Sequence, residues 1–278
     1  MPPQRSGRVQ SVDRALDVLE ALGSADHLGV SEVAARTGLV VSTAHRLLAG
    51  LADRGYVRQT AAHGHYTLGF KMLELAGSVQ ARTAALTALA RPHLESVCQA
   101  TSETTNLVIL DHDRVVYVDQ VPGHHNVRMF TQVGSSALAH TTASGKAILA
   151  HRPAELISQL YPPDREPLES LTSHTKTTVE SLRSDFTRIR RHGYAIDNEE
   201  HEEGVSCVAV PIFDQTDRPC AAMSISAPTA RIVHDDTGIL VNLLREHAAE
   251  IAAALGHAAG ERAKGDGGAA GKSPGKSG

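Results

Sequence analysis

Residues 31–57, SEVAARTGLVVSTAHRLLAGLADRGYV, satisfy several spatial constraints at once. Two helices crossing at a tight turn need a small residue where their backbones touch, a glycine in the turn, and apolar side chains facing a third helix. With Gly38 as the turn, Ala34 falls one helical turn earlier, beside Val33, while Leu39, Ala44 and Leu47 fall at the packing positions that follow. The segment therefore reads as a helix-turn-helix. Its second helix, expected to be capped by Ser42 or Thr43, carries an apolar stripe of Ala44, Leu47, Leu48 and Leu51 and stops at Gly55. The preceding helix starts at Ser31. A further helix is expected from Val9, with Ser11 as its cap and Val12, Ala15, Leu16, Leu19 and Leu22 on one face. After Gly55, YVRQ and YTLG alternate like short strands around TAAHGH, where Gly64 supplies the turn. Three helices followed by a β-hairpin is the order of a winged helix-turn-helix.

The side chains left over at the start of the third helix are Ser42, Thr43, His45 and Arg46. Helix N-terminal amides and hydroxyls suit phosphate, and Arg can grip a guanine edge with two bonds. This end is therefore expected to face a DNA major groove. Arg58 and the hairpin histidines His63 and His65 are candidate wing contacts, although a solvated turn explains the histidines as well. Charge agrees in sign. The chain carries a net −4, yet residues 1–82 hold nine Lys/Arg against seven acids, so the excess of acid lies entirely in the remainder.

Beyond the hairpin, LGFKMLELAGSVQAR reads as a helix, followed by another from about Thr83 to Ala100 that is broken or kinked near Pro92. The later chain mixes strands and helices. TTNLVIL and RVVYVDQV form a hairpin; VRMFTQV, YAIDN, VSCVAVPIFD and RPCAAMSISAP are strands; TASGKAILA, VESLRSDFTRIRRHG and DTGILVNLLREHAAEIAAALG are helices. The expected class is α+β, with a sensor-like α/β domain behind the winged helix-turn-helix. The expected boundaries are 9–69 for the DNA-binding domain, 70–84 for a linker helix, 85–257 for the effector-binding domain, and 258–278 for a Gly/Ser/Lys-rich disordered tail. Residues 1–8 are read as a mobile arm.

No apolar run approaches a membrane span, and MPPQRSGRVQ is not followed by the apolar segment of a secretory signal. Three cysteines without a CxxC pair fit reduced thiols, so a cytoplasmic protein is expected. HTTASGKA is no phosphate loop, because His140 stands where the first glycine is needed and Ala147 replaces Ser/Thr; DGGAAGKS in the tail fails in the same way at Asp266. His124-His125 is read as a loop pair and NEEHEEG as a solvated acidic loop. Ligand spacing for a metal is absent, so neither metal nor cofactor is expected. No nucleophile–base constellation is evident, and an enzyme is the minor alternative. A DNA-binding scaffold that senses nothing is another.

The segments SVDRALDVLEAL, SEVAARTGLVVSTAHRLLAGLADRGYV, YTLGFKMLELA, VVYVDQVPG, VGSSALAHTTASGKAILA, GYAIDNEEHEEGVSCVAVPIFD and AAMSISAP resemble, in order and spacing, the IclR family of bacterial transcription regulators over nearly all of residues 9–257. The resemblance implies a winged helix-turn-helix, a connecting helix and a GAF-like effector domain. It also implies a double-stranded DNA operator as partner, homodimers or homotetramers, and a small organic acid as effector. It implies a repressor, with an activator of the same family as alternative. A basic or polar residue often precedes the Ser-Thr pair in the family; here it is Val41.

Carried over position by position, the effector contacts are Asp197, Cys207, Ser224 and Ser226, with Ala143 and Ser144 at a helix start; Met129 is a further candidate for the apolar side. The residues themselves are compatible with this. Ser224 and Ser226 are two apart on a strand and share a face. Amides at the start of the 143 helix favour an anion. Asp197 beside a carboxylate must be protonated or accept from a ligand hydroxyl, which points to a hydroxy-, keto- or hydrated-aldehyde acid. From the residues alone, Cys207 reads more readily as packing, Ser224 and Ser226 equally as ordinary strand residues, and Met129 equally as core filling.

Overall fold

The computed structural model describes residues 9–60, 64–125, 132–232 and 237–257. The expectations for the arm, the tail, His63, Met129 and most of the VRMFTQV strand lie outside the described residues. The chain divides into two compact units, Met1–Ala84 and Ala85–Gly278.

The first unit contains α1 (Gln10–Gly23), α2 (Val30–Thr37), α3 (Val41–Asp53) and the antiparallel hairpin β1 (Val57–Gln59) and β2 (Tyr66–Leu68). Val18, Leu22, Val33, Ala34, Ala44, Leu48, Val57 and Tyr66 form its core. Ala34 and Ala44 are both buried, so a larger residue at the α2–α3 crossing would force the helices apart. Gly38 takes φ +67°, the left-handed conformation that closes α2, and the Leu39 N–H donates to Ala34 O at 3.0 Å. Leu28 and Tyr66 exchange two backbone bonds, of 3.0 and 2.8 Å, which pin the hairpin to the α1–α2 loop.

Two expected caps and one helix start differ. The N-cap residues of α1 and α3 are Val9 and Val40 rather than Ser11 and Ser42 or Thr43, α2 starts at Val30 behind Gly29 rather than at Ser31, and none of the three caps with its side chain. At α2 the Glu32 carboxylate accepts the Gly29 N–H instead, at 2.7 Å. The apolar face of α1 is also rotated from the expected one. Val18 and Leu22 are buried, while Val12 and Leu16 remain 54% and 50% exposed.

The helix expected to break near Pro92 is one element, α4 (Lys71–Thr101). Proline removes the N–H that would serve the Ala88 carbonyl, but both residues are exposed, so water can replace that bond. Buried Ala90, Leu94 and Val97 on the opposite side hold the helix down.

The second unit adds β3 (Thr104–Asp111), β4 (Arg114–Val121), β5 (Ser136–Leu138), α5 (Ala143–Leu149), α6 (Ala154–Leu160), α7 (Val179–His192), β6 (Ala195–Asn198), β7 (Val205–Phe213), β8 (Pro219–Pro228), α8 (Thr229–Ile232) and α9 (Thr237–Ala254). Its antiparallel sheet runs in the order β5-β4-β3-β8-β7-β6. The period-two alternation of strands sorts side chains to two cores. Val108, Ala209 and Ala222 face α5 and α7, whereas their neighbours Leu107, Val208, Val210 and Met223 face α9 and the second half of α4. The unit is an α/β/α sandwich with both sheet faces covered. Among the described residues, no helix is long and apolar enough to cross a membrane.

Candidate functional site

In the first unit, Ser42, His45 and Arg46 are exposed on α3, and Thr43 is half-buried. Because α3 has no side-chain cap bond, the Ser42 and Thr43 hydroxyls are not spent on closing their own helix. Val40 and Val41, at the same end, are 67% and 52% exposed. Arg58 points from β1 with its guanidinium 5.5 Å from the centre of the Phe70 ring, which holds the cation at the surface. His65 is half-buried, and its ring meets His27 edge-on at 4.9 Å. The Leu28–Tyr66 bonds draw it to that seam, away from the hairpin tip.

In the second unit a cavity of about 410 Å³ opens beside β6, β7, β8 and the start of α5. Ala143, Ser144, Asp197, Cys207, Ser224 and Ser226, six candidates from four segments, all line it. The ladder explains the convergence. Asp197 is the register partner of Cys207, and Cys207 of Ser226, so three strands present one row of side chains.

The hydrogen bonds fix the polarity of that row. Ser226 Oγ accepts from the Cys207 thiol at 3.1 Å and from Asn106 Nδ2 at 3.2 Å. A hydroxyl oxygen has two lone pairs, so both are engaged and the Ser226 proton remains to be donated. His201, which also lines the cavity, shows the opposite polarity. The Thr141 hydroxyl donates to Leu138 O at 3.0 Å, so it accepts from His201 Nδ1 at 3.0 Å. The network thereby assigns the Nδ1–H tautomer and leaves Nε2 as the acceptor. Burial holds the His201 imidazole below its ordinary pKa, which favours this neutral form.

Asp197 is 1% exposed, and its Oδ1 accepts the backbone N–H groups of Glu200 at 2.7 Å and His201 at 3.3 Å. Burial outweighs these bonds and pushes its pKa up to about 7. The carboxyl can therefore be neutral near physiological pH. Burial likewise keeps Cys207 a thiol and Tyr117, on the cavity wall, a phenol.

Two expectations need correction. Thr142 caps α5 with its own hydroxyl, which accepts the Gly145 N–H at 3.1 Å, and the helix has only seven residues. One amide expected to serve an anion is thus occupied, and a helix so short has little dipole to add. The NEEHEEG loop is not simply solvated. Glu200 is 5% exposed and pairs with Lys146, which is 0% exposed and also reaches Asp185 at 3.4 Å. Sequence reasoning missed Lys146, although a lysine inside the apolar run GKAILA was a signal. His201, Tyr117 and Thr142 were missed as well, because only the fold places them at the cavity.

Gly145 marks how tightly α5 is set. A Cβ there would lie 2.2 Å from Ala139 O, so only glycine lets the helix reach this depth.

Two family profiles match the chain: "IclR helix-turn-helix domain" over residues 11–61 and "Bacterial transcriptional regulator IclR C-terminal" over residues 80–253. The sequence is 36% identical to the HTH-type transcriptional regulator BhcR of Paracoccus denitrificans, covering 93% of this chain and 92% of the relative. It is 33% identical to the transcriptional repressor IclR of Escherichia coli, covering 90% and 92%. Its fold matches a crystal structure of an IclR homologue from Microbacterium hydrocarbonoxydans complexed with 4-hydroxybenzoate, with TM-score 0.71, 29% identity, and 88% and 98% coverage.

Proposed function

The chain belongs to the IclR family of bacterial transcriptional regulators, and on that premise we propose that it is a repressor whose operator complex is released by a small hydroxy-, keto- or hydrated-aldehyde carboxylic acid. Its activity is DNA-binding regulation of transcription, not catalysis.

The observation that carries the effector class is the doubly accepting Ser226 oxygen. It obliges the hydroxyl to donate into the cavity, and Ser224 lines the same wall. Two hydroxyls on one strand face suit the two oxygens of a carboxylate. A neutral Asp197 removes the repulsion an anion would otherwise meet, and His201 Nε2 supplies an acceptor for a ligand hydroxyl. The homologue bound to 4-hydroxybenzoate, a hydroxy acid, agrees with this chemistry.

The reading face comprises Ser42, Thr43, His45 and Arg46, with Arg58 and the hairpin as flanking phosphate contacts. Val12 and Leu16 of α1, and Leu73 and Val79 of α4, are exposed apolar residues that suit burial against a second copy. A dimer sets two recognition helices about 34 Å apart, one DNA turn, on a palindrome-like operator. An acid that binds the DNA-incompatible arrangement roughly 100-fold more tightly contributes about 2.7 kcal/mol, enough to release a marginal complex.

The test is footprinting on the DNA upstream of the regulator's own gene, with glyoxylate, pyruvate or 4-hydroxybenzoate added. A protected palindrome that at least one acid clears is the expected result. No preference for that DNA over random duplex would refute operator binding, and protection that none of the acids alters would refute the effector.

A further inference from the structure

A second cluster of functional groups lies away from the cavity, where α4 packs on α9. His93 stands on α4, and His247 and Glu250 stand one turn apart on α9. His93 Nδ1 lies 3.0 Å from His247 Nδ1 and 3.3 Å from Glu250 Oε2. One ligand atom from each of the three residues lies within 4.8 Å of the others. Both imidazoles are half-buried, and the carboxylate is exposed.

One Nδ1–H···Nδ1 bond can join the histidines and water can reach the exposed carboxylate, yet the same three groups are also placed to ligate one ion. With both histidines in the Nε2–H tautomer, two imidazole nitrogens and a carboxylate oxygen bring three lone pairs together. A proton on His93 Nδ1 makes a linear bond to His247 or to Glu250, not to both, and protons on both nitrogens would collide. A metal ion accepts all three pairs. Bonds of about 2.0–2.2 Å in a tetrahedron put ligand atoms roughly 3.3–3.6 Å apart, near the 3.0 and 3.3 Å that separate His93 Nδ1 from the other two atoms. Nitrogen with carboxylate oxygen is a donor set of intermediate softness, suited to Zn²⁺ and its first-row neighbours rather than to Mg²⁺ or Ca²⁺. The carriers are rigid: Leu94 of α4 and Ala248 and Ile251 of α9, each beside a ligand, are buried in one core. Metal sites between packed helices are built from such inward-facing carboxylates and histidines, with an i, i+3 pair on one helix.

We propose that His93, His247 and Glu250 form a binding site for a divalent transition metal of the Zn²⁺ class, clamping α4 to α9 with a fourth position open to water. This would be a structural clamp within the second unit, separate from the effector cavity.

The test uses the full-length chain, stripped of metal by a chelator and titrated with Co²⁺. We expect one Co²⁺ per chain with ligand-field bands of low coordination number, and displacement of those bands by Zn²⁺. His247→Gln and Glu250→Gln should each weaken the site, His247→Gln by more than about 100-fold, beyond the loss an outer-shell partner causes. Zn²⁺ should raise the thermal midpoint of the native protein but not that of Glu250→Gln, whose exposed position spares the fold. Co²⁺ binding that is equal in native protein and both variants, or no stoichiometric binding at all, would overturn the proposal.

Discussion

The Cys207 thiol donates to the Ser226 hydroxyl at 3.1 Å, between direct register partners on β7 and β8. Together with the Asn106 amide, it turns Ser226 into an obligate donor toward the cavity. Cys207 thus acts by directing another group. Its own pKa is raised by burial, which makes it a poor nucleophile.

Replacing Ser226 should therefore reduce carboxylate affinity. A hydrogen bond to a charged group contributes about 1.5–3 kcal/mol, so Ser226→Ala should weaken binding of an active acid by roughly 10- to 150-fold. Cys207→Ser keeps a donor at the partner position and should lose far less. Calorimetric titration distinguishes the two, and equal affinities for native protein and Ser226→Ala would contradict the assignment.

Asp197 should give the effector response a pH dependence. Its folded pKa is raised from 3.8 to about 7, chiefly by burial. The native state therefore holds a proton that the unfolded chain has released, and this group's contribution to stability falls as pH rises from about 4 to about 7 and is level beyond. Anion affinity should fall above pH 7, by up to tenfold per unit, as Asp197 ionises. Asp197→Asn should abolish that dependence in a titration from pH 6 to 8.5.

Lys146→Met should destabilise the second unit by about 3–5 kcal/mol, because it strands the buried Glu200 carboxylate. Asp185 retains its pairing with Lys176. Adding Glu200→Gln should recover part of the loss. Urea unfolding of the two variants measures it, and additive losses would mean that the pair is not coupled.

Arg46→Ala should cost on the order of 1–3 kcal/mol of operator binding. Arg46 is exposed, so its removal should change folding stability by less than about 0.5 kcal/mol. Gel-shift titration beside a thermal melt separates the two effects.

Val41 should contribute an apolar contact to a thymine methyl. Burying one such group contributes about 0.8 kcal/mol, or roughly fourfold in affinity. Uracil in place of thymine at the contacted position of the operator should weaken native protein by that factor and leave Val41→Ser unaffected, as judged by competition binding.

Local rules made much of this molecule legible. The spacing from Ala34 through Gly38 to Ala44 specifies a helix-turn-helix because each position meets a steric demand within one turn of its neighbour. Alternation in VSCVAV and MSIS specifies strands and places Ser224 and Ser226 on one face. Caps were read less well, since Val9 and Val40 start their helices without side-chain bonds and nothing local announces them. The exposed Val12 and Leu16 show the same limit, because the apolar stripe of an isolated helix does not say which part of it the core will take.

The sequence by itself determined the three-helix-and-hairpin order of the first unit and picked out six effector candidates that line one cavity, because these depend on short-range periodicity and on a motif order resembling a known family; it left β5, α6 and α8 unnamed and divided α4 in two. Tertiary structure alone decided the protonation of Asp197, the donor polarity of Ser226, the tautomer of His201, the burial of Lys146 against Glu200, and the meeting of His93 with His247 and Glu250. Each of these is set by the field or lone pairs of atoms far away in the chain. Distance along a sequence carries no information about such neighbours until packing brings them within a few ångströms.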